Sequence, residues 1–372
     1  MGSKDGVRRR IASIAGARPN FMKIAPIVAA LQRRSDSFES MLIHTGQHYD
    51  EKMSQIFFDE LGIPRPDINL EVGSGSHAQQ TASIMTAFER VLLEHAIDMV
   101  LVVGDVNSTI ACALVASKLG VPIAHVEAGL RSYDREMPEE INRVLTDQIS
   151  DLLFTTEESA EANLRREGID STKVHFVGNV MIDTLLTHRE RARSTGVHKS
   201  LGLEPGGYGL MTLHRPSNVD DTDAFEGLMR GVATIAREIP IVFPVHPRTR
   251  PAVTRSTTAA DLVERGRLRL IDPQGYLDFI GLMERARVVL TDSGGIQEET
   301  TILGVPCLTL RENTERPITI THGTNQLVGA DSGRIVSAWQ QIRDTTTRPD
   351  RPPLWDGQAA ERIVAILEQY WG

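Results

Sequence analysis

Cysteine is scarce in this chain. Cys112 and Cys307 are the only two in 372 residues, and each sits in an apolar run. That excludes a disulfide framework. Neither has a partner at metal-ligand spacing, so buried thiols in a reducing cytoplasm are expected. Long apolar runs are also missing: none reaches the roughly 20 residues of a membrane-spanning helix, and no signal-peptide pattern is recognisable. There is no basic excess either. Lys and Arg number 40 against 49 Asp and Glu, a net charge of −9. This argues against broad binding to nucleic acid or anionic membrane, and leaves room for a local basic pocket around a small anion. Three familiar site loops are absent: a Walker loop, the spaced glycines of a dinucleotide fold, and a Gly-x-Ser-x-Gly elbow. A metal or NAD is therefore not signalled.

What is present is a globular composition, 41% hydrophobic and 24% charged. The length exceeds one ordinary core, so two domains are expected. Strands and helices alternate through the chain. Ile11–Ala15 reads as a buried strand, Phe21–Arg33 as a helix, Asp50–Leu61 and Gln79–Ala96 as further helices. Met99–Val103 is apolar at every position, as in a parallel sheet covered on both faces. After residues 192–207, rich in Ser, Gly, Pro and charge, a second such series begins at Tyr208. The division expected is a tail at 1–8, a Rossmann-like domain at 9–191, a linker at 192–207, a second Rossmann-like domain at 208–355, and a helix within 356–372. The fold class is α/β, with two parallel sheets joined by right-handed crossovers and facing a cleft. Ligands of such sheets sit at the carboxyl ends of the strands. Arg18, Gln47, Asp105, Glu127, His214, His246, Arg248, Ser293 and Arg311 all collect there. The alternative is that each is an ordinary loop residue.

Thr291-Asp292-Ser293-Gly294-Gly295-Ile296-Gln297-Glu298-Glu299 follows a strand-like run and opens a helix-like one. Two glycines at a helix start leave N–H groups unobstructed for an anion, and the helix dipole adds to the attraction. Glu299, one turn further in, suits the hydroxyl pair of a sugar. Phosphate and ribose together suggest a nucleotide; a tight capped turn is the plainer reading. Asp105, Glu127 and Glu139 form a second group. Converging acids can hold a proton at neutral pH and do acid–base work at carbon. Glu139 follows Pro138 at a helix start, so helix capping is the competing role. Arg18, Lys23, His214, Arg215, His246 and Arg248 supply positive charge that can hold a diphosphate without a metal. His44 and His48 read as polar loop residues rather than metal ligands.

Ordered motifs run through the chain. They are Gly16-Ala17-Arg18-Pro19-Asn20-Phe21-Met22-Lys23, Thr45-Gly46-Gln47-His48, Gly104-Asp105-Val106-Asn107-Ser108-Thr109, and His125-Val126-Glu127-Ala128-Gly129-Leu130-Arg131. Pro138-Glu139-Glu140-Ile141-Asn142-Arg143, His214-Arg215, His246-Pro247-Arg248, the Thr291–Glu299 stretch and Arg311-Glu312-Asn313-Thr314-Glu315-Arg316-Pro317 complete the set. In this order the chain resembles the non-hydrolysing UDP-N-acetylglucosamine 2-epimerases, from about Ile11 onward.

The resemblance implies a fold like that of glycosyltransferase B enzymes, a homodimer in the cytoplasm, and a final helix that packs back on the first domain. It implies interconversion of UDP-N-acetylglucosamine and UDP-N-acetylmannosamine through elimination of UDP to a glycal and re-addition, with no cofactor and no metal. Carried over by position, Asp105, Glu127 and Glu139 match the acidic catalytic set and His214 the catalytic histidine. Arg18 and Lys23 match the phosphate-side cations, with His246, Arg248 and Arg316 as further UDP-sugar-binding candidates. Ser293, Gly294 and Gly295 match the phosphate cradle, Glu299 the ribose acid, and Phe279 a residue beside uracil. Two departures bear on the sugar: the short segment Arg131-Ser132-Tyr133-Asp134-Arg135-Glu136-Met137, and His214-Arg215-Pro216-Ser217-Asn218 where members often read His-Arg-x-Glu-Asn. Related deoxy or uronic UDP-sugars are therefore kept open. A glycosyltransferase of the same fold, a nucleotide-sugar sensor and a hydrolysing variant are the other readings.

Overall fold

A computed structural model describes residues 8–16, 18–46, 60–344 and 350–371, with the side chains of Arg18 and Pro19 outside that description. Gln47, His48 and positions 50–59 of the helix expected at Asp50–Leu61 lie outside the described residues.

The described chain forms two compact units, Met1–Leu186 with Pro353–Gly372, and Thr187–Pro352. The first holds a seven-stranded sheet built from β1 (Arg9–Ala15), β2 (Phe38–His44), β3 (Ile68–Asn69), β4 (Met99–Val103), β5 (Ile123–Ala128), β6 (Leu152–Thr155) and β7 (Val174–Phe176). Its order is β3-β2-β1-β4-β5-β6-β7, with parallel pairing throughout. The second holds β8 (Gly209–Thr212), β9 (Ile241–Pro244), β10 (Leu268–Ile271), β11 (Val288–Thr291), β12 (Cys307–Thr309) and β13 (Asn325–Leu327), in the order β10-β9-β8-β11-β12-β13. These pairs are parallel as well. The order reverses between β1 and β4 in one sheet and between β8 and β11 in the other. Those reversal points open a crevice above the strand ends, where ligands of open α/β sheets bind.

The sheets are central because their strands are apolar on both faces. All five residues of β4 are buried, as are all four of β11. Each buried Val or Leu contributes about 1.5–3 kcal/mol by leaving water. Helices cover the faces by amphipathic spacing. The helix His77–Glu94 buries Gln80, Ile84, Phe88 and Val91, and begins at a capping box in which Ser76 and Gln79 satisfy each other's orphan donors. In the second unit the helices Thr222–Glu238 and Ser332–Ile342 cross closely. A Cβ at Gly231 would lie 2.9 Å from the Cδ1 of Ile335.

Residues 192–207 belong to the second unit. They carry the short helix Val197–Ser200, beside which Gly281 passes so tightly that a Cβ there would lie 2.7 Å from the Ala192 carbonyl. The helix Ala359–Tyr370, whose Ile363, Val364 and Leu367 are buried, packs on Arg18–Arg33 in the first unit, and an Arg33–Glu361 ion pair joins the two. Asp183 caps it: its carboxylate accepts from the N–H groups of Ala359 and Ala360 at 3.1 and 2.7 Å. Burial pushes the Asp183 carboxyl up to about 6 against the pull of those two donors. Among the described residues no helix is long and apolar enough to cross a membrane.

Candidate functional site

Polar side chains gather at the strand ends within each unit. In the first, β4 runs into Gly104, which takes φ +69°. A Cβ at Gly104 would come within 3.3 Å of both the Glu127 Oε2 and the Lys23 Nζ, so glycine is what lets the two groups close over the turn. Lys23, from the helix Arg18–Arg33, is ion-paired with Glu127, and both are buried. Asn20 of the same helix donates to the Val103 carbonyl at 3.0 Å and fixes the helix start against β4. Glu127 itself has φ +66°, and the register with β6 shifts between Val126 and Ala128. A left-handed glutamate costs about 1–3 kcal/mol and persists only where its surroundings hold it, a common mark of a working residue.

Asp105, the next residue after Gly104, is ion-paired with Arg143 of the helix Pro138–Ile149. Arg143 reaches Glu140 as well, at 2.6 Å. Glu140 is buried and accepts from the Ser132 N–H and hydroxyl and from the Tyr133 N–H, each at 2.9 Å. Glu139 stands half-buried in the first turn of that helix. The short segment after Arg131 is thus folded onto Glu140, a residue that sequence reading passed over in favour of its neighbour. The Glu140–Arg143 spacing of three was the available signal. His44 is buried with its Nδ1 facing the Ala15 carbonyl at 3.0 Å, and burial lowers its pKa. Among the described residues no group of His, Cys, Asp and Glu is arranged to hold a metal ion.

In the second unit β11 ends at Thr291 and the helix Gly294–Leu303 begins after Ser293, whose side chain makes no cap. The helix start therefore keeps its N–H groups for another acceptor. Asp292 is fully buried beneath it. Its carboxylate accepts from the His214 Nδ1 at 2.8 Å, the Arg215 N–H at 2.9 Å and the Asn218 side chain at 3.1 Å. Burial alone would raise the Asp292 pKa, but the His214 ring and these donors outweigh it and hold the carboxyl below its usual value. The bond fixes the half-exposed His214 ring by its Nδ1.

A web of charges flanks the same helix start. Arg316 donates to Glu298 at 2.7 Å and to Glu315 at 2.6 Å, and Arg311 reaches Glu315 at 2.9 Å. A Cβ at Gly294 would lie 2.6 Å from the Arg316 Nη1 and 2.7 Å from the Glu315 Oε1. Glu299 is buried in the next turn and accepts from the Tyr276 hydroxyl at 3.2 Å. Phe279 stands one turn beyond Tyr276 on the helix Tyr276–Arg285 and is partly exposed. Gly295 occupies the second helical position. His246 and Arg248 lie on the exposed loop after β9, where Arg248 pairs with Asp220 at 2.8 Å. Arg18 opens its helix, with its side chain outside the described residues. Asp292, Glu298 and Glu315 were not singled out from sequence as site residues. They touch the cations of the site rather than continuing an apolar period, so pattern reading gives them no mark.

Burial pushes the Glu299 carboxyl up to about 8, with the neighbouring Glu298 adding to the rise and the Tyr276 bond opposing it. A carboxyl raised on folding from an ordinary 4.5 binds more protons in the native state between those values. Its stabilising contribution is complete below pH 4.5 and is lost as pH rises through about 8. Glu299→Gln removes that dependence. Thermal melts at pH 5 and pH 8 should show the variant gaining stability over the parent as pH rises; a constant difference would contradict the buried neutral acid.

A family model described as UDP-N-acetylglucosamine 2-epimerase matches residues 29–368. The UDP-N-acetylglucosamine 2-epimerase of Methanocaldococcus jannaschii is 43% identical over 364 residues, covering 96% of this chain and 98% of that one. A crystal structure of that archaeal enzyme in complex with UDP-GlcNAc and UDP has a TM-score of 0.89, with 97% of this chain and 99% of that chain covered. A UDP-2,3-diacetamido-2,3-dideoxy-D-glucuronate 2-epimerase from Pseudomonas aeruginosa is also 43% identical, over 362 residues, with 96% and 99% covered. The sucrose-phosphate synthase of Thermosynechococcus elongatus, at 13% identity and a TM-score of 0.63, shares the glycosyltransferase B-like fold alone.

Proposed function

We propose, from the premise that this chain belongs to the UDP-N-acetylglucosamine 2-epimerase family, that it inverts C2 of a UDP-N-acetylhexosamine and interconverts UDP-N-acetylglucosamine and UDP-N-acetylmannosamine. The observation that carries this is the pair of acid–cation contacts at the ends of adjacent strands, Lys23–Glu127 at the end of β5 and Arg143–Asp105 after β4. A carboxylate takes the C2 proton. The C2–H electrons form a C1=C2 bond, and the C1–oxygen bond breaks so that UDP leaves with its electron pair as a glycal forms. In the second half UDP adds back through oxygen at C1, and an acid returns a proton to the opposite face of C2. Asp105, Glu127 and Glu139 are the acid–base set, and His214 acts with them. Each proton transfer by a positioned group is worth about 10²–10⁴-fold in rate.

The nucleotide belongs to the second unit. The uncapped helix start at Ser293, Gly294 and Gly295 takes diphosphate oxygens, and Arg316 stands beside it. Lys23, Arg18, His246 and Arg248 add positive charge for the departing diphosphate. Glu299 holds the ribose: a neutral carboxyl both donates and accepts, which suits two adjacent hydroxyls. Phe279 offers a flat apolar face for uracil.

Incubation with UDP-N-acetylglucosamine in D2O tests the reading. Deuterium should enter C2 as the mannosamine epimer appears. No exchange in the absence of an acceptor would sink it and favour a glycosyltransferase. A second reading rests on the Pseudomonas relative, which is as similar as the archaeal one: the substrate is then a UDP-uronate bearing acetamido groups. The same assay across both sugars decides, by which of them exchanges faster.

A further inference from the structure

We infer that His125 and Asp147 form a positioning pair that sets both acid-bearing loops of the first unit, with the His125 Nε2–H donating to the Gly104 carbonyl; this rests on the proposed roles of Asp105 and Glu127. His125 lies in β5, fully buried, two residues before Glu127. Its Nδ1 stands 2.7 Å from the Asp147 Oδ1, and its Nε2 stands 2.9 Å from the Gly104 carbonyl. That carbonyl belongs to the peptide joining Gly104 to Asp105. The other oxygen of Asp147 accepts from the Gly129 N–H at 3.1 Å, two residues past Glu127, and from Arg131 at 2.7 Å. Arg131 is anchored in turn by Glu167, its Nε donating at 2.8 Å. One carboxylate thus reaches the Asp105 turn through His125 and the Glu127 turn directly. Both turns need holding: Gly104, Glu127 and Gly129 all have left-handed backbones, at φ +69°, +66° and +78°.

The ring state follows from the acceptors. A carbonyl oxygen only accepts, and the Asp147 carboxylate accepts from Gly129 and Arg131 on its other oxygen. The Nε2 that faces the Gly104 carbonyl therefore carries a hydrogen, and one hydrogen lies between the Nδ1 and the Asp147 Oδ1. The charges around the ring are Asp147 from the helix Pro138–Ile149, Arg131 from the loop after β5, and Glu167 behind it. Neither His125 nor Asp147 is asked to touch the substrate. Their removal shifts the two turns, and a misplacement near 1 Å costs about a hundredfold in rate.

The test uses the full chain. His125→Gln and Asp147→Asn should each lower C2 exchange about a hundredfold, through kcat, with UDP affinity by calorimetry unchanged. Nitrogen-15 spectra of the parent should show hydrogen on the Nε2 of His125, assigned through its coupling to the Gly104 carbonyl. Exchange near the parental rate in folded variants would overturn the inference, as would UDP affinity falling in step with exchange, or an Nε2 of His125 that carries no hydrogen. The spectra need no variant, so they decide even where a substitution prevents folding. If the parent exchanges no UDP-sugar, the epimerase reading fails instead, and the ring hydrogens still decide the pairing.

Discussion

Asp105→Asn should lower deuterium exchange at C2 by about a thousandfold, within the range for loss of a general acid or base, and leave UDP affinity unchanged. The amide keeps the size of the carboxyl and one acceptor oxygen, so the turn after Gly104 has no steric reason to move. What goes is the ability to take or return a proton, and the ion pair with Arg143. Arg143 retains Glu140 at 2.6 Å, so its charge is not stranded. That makes the substitution a clean probe of chemistry rather than of folding. Exchange kinetics followed by NMR, with calorimetry for UDP, give both readouts. Exchange at the parental rate would remove Asp105 from the reaction. A matched fall in UDP affinity would show that the residue serves binding instead.

Gly294→Ala should weaken UDP binding at least tenfold, about 1.4 kcal/mol or more, with little effect on the thermal midpoint. The new methyl must displace the Arg316 guanidinium and the Glu315 carboxylate, which otherwise lie 2.6 and 2.7 Å from it. Both are side-chain ends and can move, so the helix survives. They are nevertheless tied to Glu298 and Arg311, and their displacement dismantles the charges beside the helix start. The methyl also stands at the first helical position, among the N–H groups proposed for the diphosphate. Calorimetry with UDP is the direct measurement. An affinity equal to the parent's would place the phosphates elsewhere.

The outline of the fold was legible because its signals are local. Met99–Val103 is apolar at every position and is strand β4 to the residue. Gly304 after Leu303 ends its helix with a left-handed φ of +72°, the glycine stop that sequence reading looks for. Other parts carried no such signal. β3 is two residues long and exists through its pairing with Ile43 and His44. The helix Ser332–Ile342 opens with Ser and Gly, weak helix formers, and is held by the Asp331 cap and by burial of Ile335, Ala338 and Trp339. The site divides in the same way. Asp105, His214 and the Ser293–Gly295 turn follow strand ends and Glu127 is the last residue but one of β5, so alternation points to them. Asp292, Glu140 and Asp147 act by holding other side chains. Their partners are remote in sequence, 78 residues away for His214 and Asp292 and 22 for His125 and Asp147, and no local pattern records such distances.

The capped helix Ala359–Tyr370 has a consequence for synthesis. Residues from Pro353 onward complete the first unit but are made after the whole of the second. Until they emerge from the ribosome, Asp183 has no helix N-terminus to bind, and the helix Arg18–Arg33 lacks the helix that packs on it. The first unit is begun first and closed last, so it stays incomplete after the second is already made.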